Sequence, residues 1–134
     1  MSAHAHPDLT RNQTLVFGAL AGSVGPLSAY SILDRLRGQG FRAPLQVYRA
    51  LDKLIELGLV HRLESINAFV ACRQPECETH GSIAFAICDR CGSVSEFADD
   101  GVTRRLEGWA KAEGFDLNKT TIELRGRCRA CRVA

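Results

Sequence analysis

The sequence predicts an α+β protein of two small domains, with three helices and a β-hairpin in the first and strands around a helix in the second. Three observations predict this class. Apolar residues recur at helical spacing as far as about residue 57, segments rich in β-branched residues follow, and a polar stretch containing Pro75 and Gly81 separates the halves. Hydrophobic residues make up 46% of the 134 residues, which is sufficient for a buried core.

Three helices are expected in the first half. The first begins at Thr10, which can form a capping box with Gln13, and the second begins at Ser28, a favourable N-cap. The third runs over residues 44–57, because proline suits the first helical turn and Gly58 suits the position just past the end. Its buried stripe is predicted to consist of Val47, Leu51, Leu54 and Ile55.

Residues 60–72 are expected to form two strands around a turn at Ile66 and Asn67. Three helices followed by a hairpin make a winged helix-turn-helix, so residues 1–72 are predicted to be one domain and residues 73–82 a hinge. Residues 83–134 form the second, α/β domain. Its predicted elements are strands at Ile83 to Ile87 and Val94 to Phe97, a helix at Val102 to Ala112 and a last strand at Thr120 to Leu124.

Composition limits where the protein can act. No run of about 18 apolar residues exists and the start of the chain is polar, so neither a membrane span nor a signal peptide is expected, and the cytoplasm is the predicted location. In that reducing compartment, the six cysteines favour metal binding or redox chemistry over disulfides. The N-terminal half carries the whole net charge of +2, which is compatible with contact to phosphates.

Four cysteines form two C-x-x-C pairs, Cys88 with Cys91 and Cys128 with Cys131. Gly92 suits a tight turn that offers the first pair to one ion. Four thiolates complete a tetrahedral zinc site without an open position, so the pairs predict a structural zinc and no catalysis. Two alternatives remain open: a redox-active dithiol, although such a centre needs one pair at the start of a helix, and unconnected buried cysteines.

A second metal site is a hypothesis that rests on the hairpin. If its loop consists of Ile66 and Asn67 alone, His61 lies directly opposite Cys72, from where both side chains can reach one zinc ion. His80 in the hinge and Glu96 on the second predicted strand of the C-terminal domain could complete the set. Each residue also has a simpler explanation: Cys72 as a small buried side chain, His61 as a partner of a backbone group, and Glu96 as a solvated charge.

On the third helix, Gln46, Arg49 and Lys53 share one face. A helix-turn-helix would place this face in the major groove of double-stranded DNA, with Gln46 and Arg49 near base edges and Lys53 nearer the phosphates.

Several segments in this order resemble the ferric uptake regulator family, and within it the zinc uptake regulator branch, over about residues 10–131. They are Leu27-Ser-Ala-Tyr-Ser-Ile-Leu, Val47-Tyr-Arg-Ala-Leu-Asp-Lys-Leu, Gly58-Leu-Val-His-Arg-Leu-Glu-Ser, Ile87-Cys-Asp-Arg-Cys-Gly-Ser-Val and Cys128-Arg-Ala-Cys. The resemblance implies a homodimeric, metal-dependent transcriptional repressor that regulates zinc uptake and homeostasis genes. It also implies that the second domain is the dimerisation domain, with the four cysteines as the ligands of its structural zinc.

The resemblance assigns a regulatory zinc to His61, Cys72, His80 and Glu96, which gives about two zinc ions per chain. It also adds Tyr30 as a DNA contact. Gln13 departs from the family, which often has an arginine near that position.

Three residues have no role in this scheme: His4 and His6 lie in the tail, and Cys77 is expected to be an exposed linker thiol. Neither an enzyme nor a small-molecule substrate is expected. The remaining rivals are an iron or peroxide sensor of the same family and a zinc-ribbon interaction module that does not bind DNA.

Overall fold

The computed structural model describes residues 8–72 and 83–132. The chain divides into two compact units, Met1–Cys72 and Arg73–Ala134. Within the described residues, the first unit contains three α-helices, a short 3-10 helix (Arg37–Gln39) and a hairpin, and the second contains a sheet and two α-helices. The predicted α+β class is therefore confirmed. The hinge predicted at residues 73–82 lies outside the described residues, as do His4, His6, Cys77 and His80.

The first two helices begin at the predicted capping residues. Helix α1 (Arg11–Ala21) follows Thr10, whose Oγ1 accepts the N–H of Gln13 at 3.2 Å, while the N–H of Thr10 donates to Gln13 Oε1 at 3.0 Å. Helix α2 (Ala29–Leu36) follows Ser28, whose Oγ accepts a backbone N–H three residues on at 3.1 Å. These bonds satisfy amides that have no partner inside the helix, so both predicted starts are confirmed.

Helix α3 (Pro44–Glu56) begins where proline predicts and ends one residue before the predicted boundary. Gly58 follows in the left-handed region with φ +79°, and its N–H donates to the carbonyl of Ile55 at 3.0 Å. Ile55 is only partly buried, whereas the rest of the predicted stripe is inaccessible to solvent: Val47, Leu51 and Leu54. The helix is therefore held against α1 and α2 by one continuous apolar side.

The predicted hairpin is present, but its predicted register is wrong. Strands β1 (Val60–Leu63) and β2 (Ala68–Ala71) pair His61 with Val70, not with Cys72. The loop is four residues long because two turn bonds close it: the N–H of Ile66 donates to Leu63 and that of Asn67 to Glu64. Asn67 accommodates this loop with φ +51°.

The hairpin is fixed to the helices through the chain that leads into α2. The N–H of Leu27 donates to the carbonyl of Phe69 at 3.0 Å, and the N–H of Phe69 donates to the carbonyl of Leu27 at 2.8 Å. Both side chains are buried in the core of the first unit. The β1–β2 hairpin, the wing, therefore shares one core with the three helices, as expected for a winged helix-turn-helix.

The second unit is a three-stranded sheet with the order β4-β3-β5, in which β4 is antiparallel and β5 is parallel to the central strand. The elements are β3 (Ile83–Cys88), β4 (Val94–Ala98), α4 (Asp100–Ala112), β5 (Ile122–Gly126) and α5 (Arg129–Arg132). The first four agree with the predicted elements to within two residues at every end, whereas α5 was not predicted. Strand β3 is the most buried element, which is typical of a central strand.

Candidate metal centres and nucleic-acid interface

The first cysteine pair lies in the turn between β3 and β4, as predicted. Cys88 is the last residue of β3, and the N–H of Gly92 donates to its carbonyl at 3.0 Å. Gly92 has φ +78°, a conformation that favours glycine. The turn brings the N–H of Cys91 to 3.4 Å from the Cys88 sulfur, so both thiols point into the same space.

The second pair lies on the short helix α5. Cys128 precedes the helix and Cys131 lies inside it, and the N–H of Cys131 donates to the carbonyl of Cys128 at 3.1 Å. One helical turn separates the two residues, so their side chains lie on the same side. This helix is the local reason why a C-x-x-C spacing presents two sulfurs together.

Parallel pairing of β5 with β3 brings the two cysteine pairs close together. It sets Gly126, two residues before Cys128, beside Cys88. The N–H of Asp89 donates to the carbonyl of Gly126 at 2.7 Å, and Arg125 Nε forms an ion pair with Asp89 Oδ1 at 2.7 Å. This ion pair could not be predicted from the sequence, because no local signal indicates which charges a parallel crossover brings together.

The four sulfurs form one cluster. The Sγ atoms of Cys88, Cys91, Cys128 and Cys131 all lie within 4.8 Å of one another, and those of Cys91 and Cys128 are 3.7 Å apart. A tetrahedron with Zn–S bonds of about 2.3 Å has sulfur–sulfur edges of about 3.8 Å. The cluster therefore has the size and the donor set of a structural zinc site, and the alternative of unconnected cysteines is wrong.

Electrostatics within the cluster favour binding of a cation. The N–H of Cys91 bonds to the Cys88 sulfur and is the main reason why the pKa of Cys88 is lowered to about 6. Hydrogen bonding to Cys131 lowers the pKa of Cys128. Hydrogen bonds to Cys128 and Cys88 raise the pKa of Cys131 to about 12, because its proton is shared with neighbouring thiolates. A divalent cation replaces that proton when it binds.

Zinc affinity of this cluster is expected to increase with pH. Cys131 keeps its proton below about pH 12 and must lose it to bind, so the ion releases at least one proton. The apparent affinity should therefore rise by about tenfold or more per pH unit between about pH 7 and 9. Competition with a chelator, corrected for the chelator's own protonation, measures this slope. An affinity that is flat over this range would contradict the assignment of Cys131 as a thiolate ligand.

Within the first unit, His61 and Cys72 do come together, although not as directly opposed residues. Cys72 lies opposite Leu59, and its N–H donates to the Leu59 carbonyl at 2.8 Å. The true register differs from the predicted one by two residues, and an even shift keeps the side chains on the same face. His61 and Cys72 are therefore diagonal neighbours, and their ligand atoms lie within 4.8 Å of each other.

The state of Cys72 also matters for metal binding. Its sulfur is disulfide-bonded in the structure, while the four clustered cysteines are free thiols. A zinc ligand must be a thiolate, so any zinc on Cys72 requires the reduced protein. Of the other predicted ligands, Glu96 lies on β4 opposite Phe85, and His80 lies outside the described residues.

The predicted DNA-contact residues lie on α2 and α3. Tyr30, the second residue of α2, and Arg49 are exposed, and no hydrogen bond or ion pair within the described part of the chain involves the Arg49 guanidinium. Lys53 forms an exposed ion pair with Glu56 at 3.6 Å, which is weak enough to be exchanged for a phosphate.

Gln46 has a structural role beyond the predicted contact with DNA. Its Oε1 accepts the N–H of Arg42 at 2.6 Å and that of Ala43 at 3.0 Å, so it caps the start of α3. A glutamine at the third position after a helix start is the signal that could have predicted this role. Recognition of adenine by glutamine needs the amide oxygen and nitrogen together, and here the oxygen is already used.

The sequence profile of the Ferric uptake regulator family matches residues 23–125. The chain belongs to the ferric uptake regulator family. It is 43% identical over 124 residues to the zinc uptake regulation protein of Escherichia coli (strain K12), an alignment that covers 92% of this chain and 72% of that protein.

Two solved structures place the similarity in the zinc uptake regulator branch. The crystal structure of holo XcZur superposes with a TM-score of 0.85 at 45% identity, covering 94% of this chain and 87% of that one. A zinc uptake regulator complexed with zinc and DNA gives a TM-score of 0.85 at 40% identity, covering 93% and 83%. Ferric uptake regulators are transcription regulators, so the expectation that the chain is not an enzyme is confirmed. No helix in the described ranges is long and apolar enough to cross a membrane.

Proposed function

We propose that the chain is a zinc-responsive transcriptional repressor that binds double-stranded operator DNA as a homodimer and controls genes for zinc uptake and homeostasis. Its similarity to a regulator solved with both zinc and DNA carries this proposal. We infer that it acts in the cytoplasm, where bacterial DNA and free thiols are found.

The recognition helix is α3, which lies in the major groove with Arg49 at base edges. Arginine can donate two hydrogen bonds to a guanine, and the exposed guanidinium of Arg49, which has no partner among residues 8–72 and 83–132, can supply these donors. Lys53 contacts phosphate and Tyr30 adds a contact from α2. Gln46 supports these residues by capping the helix through Oε1, and its amide nitrogen remains a hydrogen-bond donor.

Dimerisation would supply two such recognition helices, one for each half of a palindromic operator. The second unit supports it, since α4 exposes an apolar stripe at i, i+4 and i+7, formed by Val102, Leu106 and Trp109. Trp109 is 58% exposed, and its ring centroid lies 5.7 Å from that of Phe115, which is also exposed. Apolar surface of this extent on one element is typical of an interface between subunits.

Two zinc ions per chain are proposed, one on the four-cysteine cluster and one on His61, Cys72, His80 and Glu96. When bound, zinc supplies a tetrahedral centre that accepts four side-chain ligands. A thiolate with two imidazoles suits zinc better than a harder ion. His61 and Cys72 come from the wing, whereas the other two come from the hinge and the second unit.

Regulation follows from that division of the ligands. An ion shared by all four side chains would hold the two units in one relative orientation. Without the ion, a wider range of orientations would be open to them. A fixed relation favours the DNA-binding arrangement, and by linkage operator DNA must tighten zinc binding by the same factor.

Binding to operator DNA at controlled free metal concentrations tests the proposal. The reduced protein is first used to select DNA duplexes from a random library. The fraction of selected duplex bound is then measured at increasing free zinc, with ferrous iron and manganese as controls. We expect zinc alone to give tight binding at low free concentration. A preference for iron would favour an iron sensor, and no DNA binding under any metal condition would favour an interaction module.

A further inference from the structure

Leu45 is an exposed apolar side chain at the start of α3. It is the second residue of the helix, and it is 57% exposed. The helix buries Val47, Leu51 and Leu54 on its opposite side, and Leu45 belongs neither to the core of the first unit nor to the partly buried residues that pack against it. Packing within the unit therefore does not explain a leucine at this position.

The surroundings of Leu45 are positively charged. Arg49 lies four residues later on the same face of α3, and Arg42 lies just before the helix, and both are exposed. The first turn carries no acidic residue, and Asp52 is the first acid of the helix. The positive end of the helix dipole adds to this charge. An apolar tip between positive groups complements the major groove, where a thymine methyl lies between two rows of phosphates.

Gln46, the neighbouring candidate for base recognition, is restricted by its own hydrogen bonds. Its Oε1 is engaged by two backbone N–H groups, so Gln46 cannot make the two-bond contact that identifies adenine unless the cap breaks. Specificity at the start of the helix must then come from another side chain. In a helix-turn-helix, the N-terminal residues of the second helix are those that reach base edges.

We propose that Leu45 is a specificity-determining residue that contacts the C5-methyl group of one thymine in each operator half-site. This inference rests on the proposed function. The methyl group is what distinguishes thymine from the other bases as an apolar feature of the major groove. Cytosine lacks it, so Leu45 selects thymine without a hydrogen bond, while Arg49 reads the neighbouring base pairs.

Deoxyuridine substitution tests the contact directly, since deoxyuridine lacks only the thymine methyl. Operators selected by the zinc-loaded protein are synthesised with symmetrical pairs of thymines replaced one pair at a time. Burial of one methyl group corresponds to about fourfold in affinity, so one symmetrical replacement should weaken dimer binding by about fifteenfold. All other replacements should change binding by less than about twofold.

Two variants assign that effect to Leu45. Leu45→Ala should lose affinity for the thymine operator and become insensitive to the same replacement, whereas Leu45→Met, which keeps an apolar tip, should retain the sensitivity. Thermal unfolding of both variants should match the parent protein, because the side chain is exposed.

Two results would overturn the proposal: no sensitive thymine in the parent protein, or equal sensitivity in Leu45→Ala. Failure to select any duplex would refute the proposed function itself and Leu45 recognition with it. Tight binding without a sensitive thymine leaves the function in place and rejects only this contact.

Discussion

Cys91→Ser is expected to unfold residues 83–132 while residues 8–72 stay folded. The sulfurs of Cys91 and Cys128 are 3.7 Å apart, so the change removes one corner of the tetrahedron that joins the β3–β4 turn to α5. Structural zinc contributes about 10–16 kcal/mol in small zinc-binding domains, which equals or exceeds the whole stability of a typical domain. Three ligands cannot retain most of this free energy.

Hydrogen exchange measured by mass spectrometry would separate the two units in this experiment. Protection of α1, α2 and α3 should persist, because their core is formed without any cysteine. Arg90→Ser is the matched control, since it changes an exposed side chain in the same turn and leaves all four sulfurs in place. A Cys91→Ser protein with full zinc content and parental protection of β3 would show that the cluster is not a structural metal site.

Cys72→Ser is expected to abolish zinc-dependent operator binding in a protein that remains folded and dimeric. The change removes the only thiolate proposed for the regulatory site, and loss of a direct ligand should weaken zinc binding by more than the 10–100-fold typical of outer-shell changes. Elemental analysis should find about one zinc ion per chain where the parent protein holds about two. A non-thiol reductant is required, because Cys72 is disulfide-bonded in the structure.

Cys77→Ser, measured under the same reducing conditions, is the matched control for Cys72→Ser, since it removes another sulfur five residues away. It should keep both zinc ions and a normal zinc response. If instead Cys77→Ser loses the response and Cys72→Ser represses normally, the sulfur ligand has been assigned to the wrong residue.

Local features could be predicted from the sequence because their causes are local. Thr10, Ser28 and Pro44 mark helix starts through bonds or backbone angles that span three or four residues, and all three are found where predicted. The spacing of Val47, Leu51 and Leu54 likewise determines which side of α3 is buried. The role of Gln46 could not be predicted in full, because the same side-chain amide can either cap the helix or contact DNA. Only the structure shows that its oxygen caps the helix.

The hairpin illustrates how a wrong detail can leave a correct conclusion. The predicted two-residue loop displaced the pairing by two positions, because loop length is decided by the turn bonds of Ile66 and Asn67. Since side chains alternate with a period of two, His61 and Cys72 still share a face. A displacement by one residue would have separated them.

The two C-x-x-C pairs determine by themselves that four thiolates are available to one ion, because spacing and residue type fix the chemistry of the ligands. Only the tertiary structure decided that the pairs meet. Their meeting depends on parallel pairing of β5 with β3 and on the ion pair of Arg125 with Asp89, which join residues more than thirty positions apart. Such contacts are selected by packing of the whole domain, since no short stretch of sequence encodes the partner of a strand.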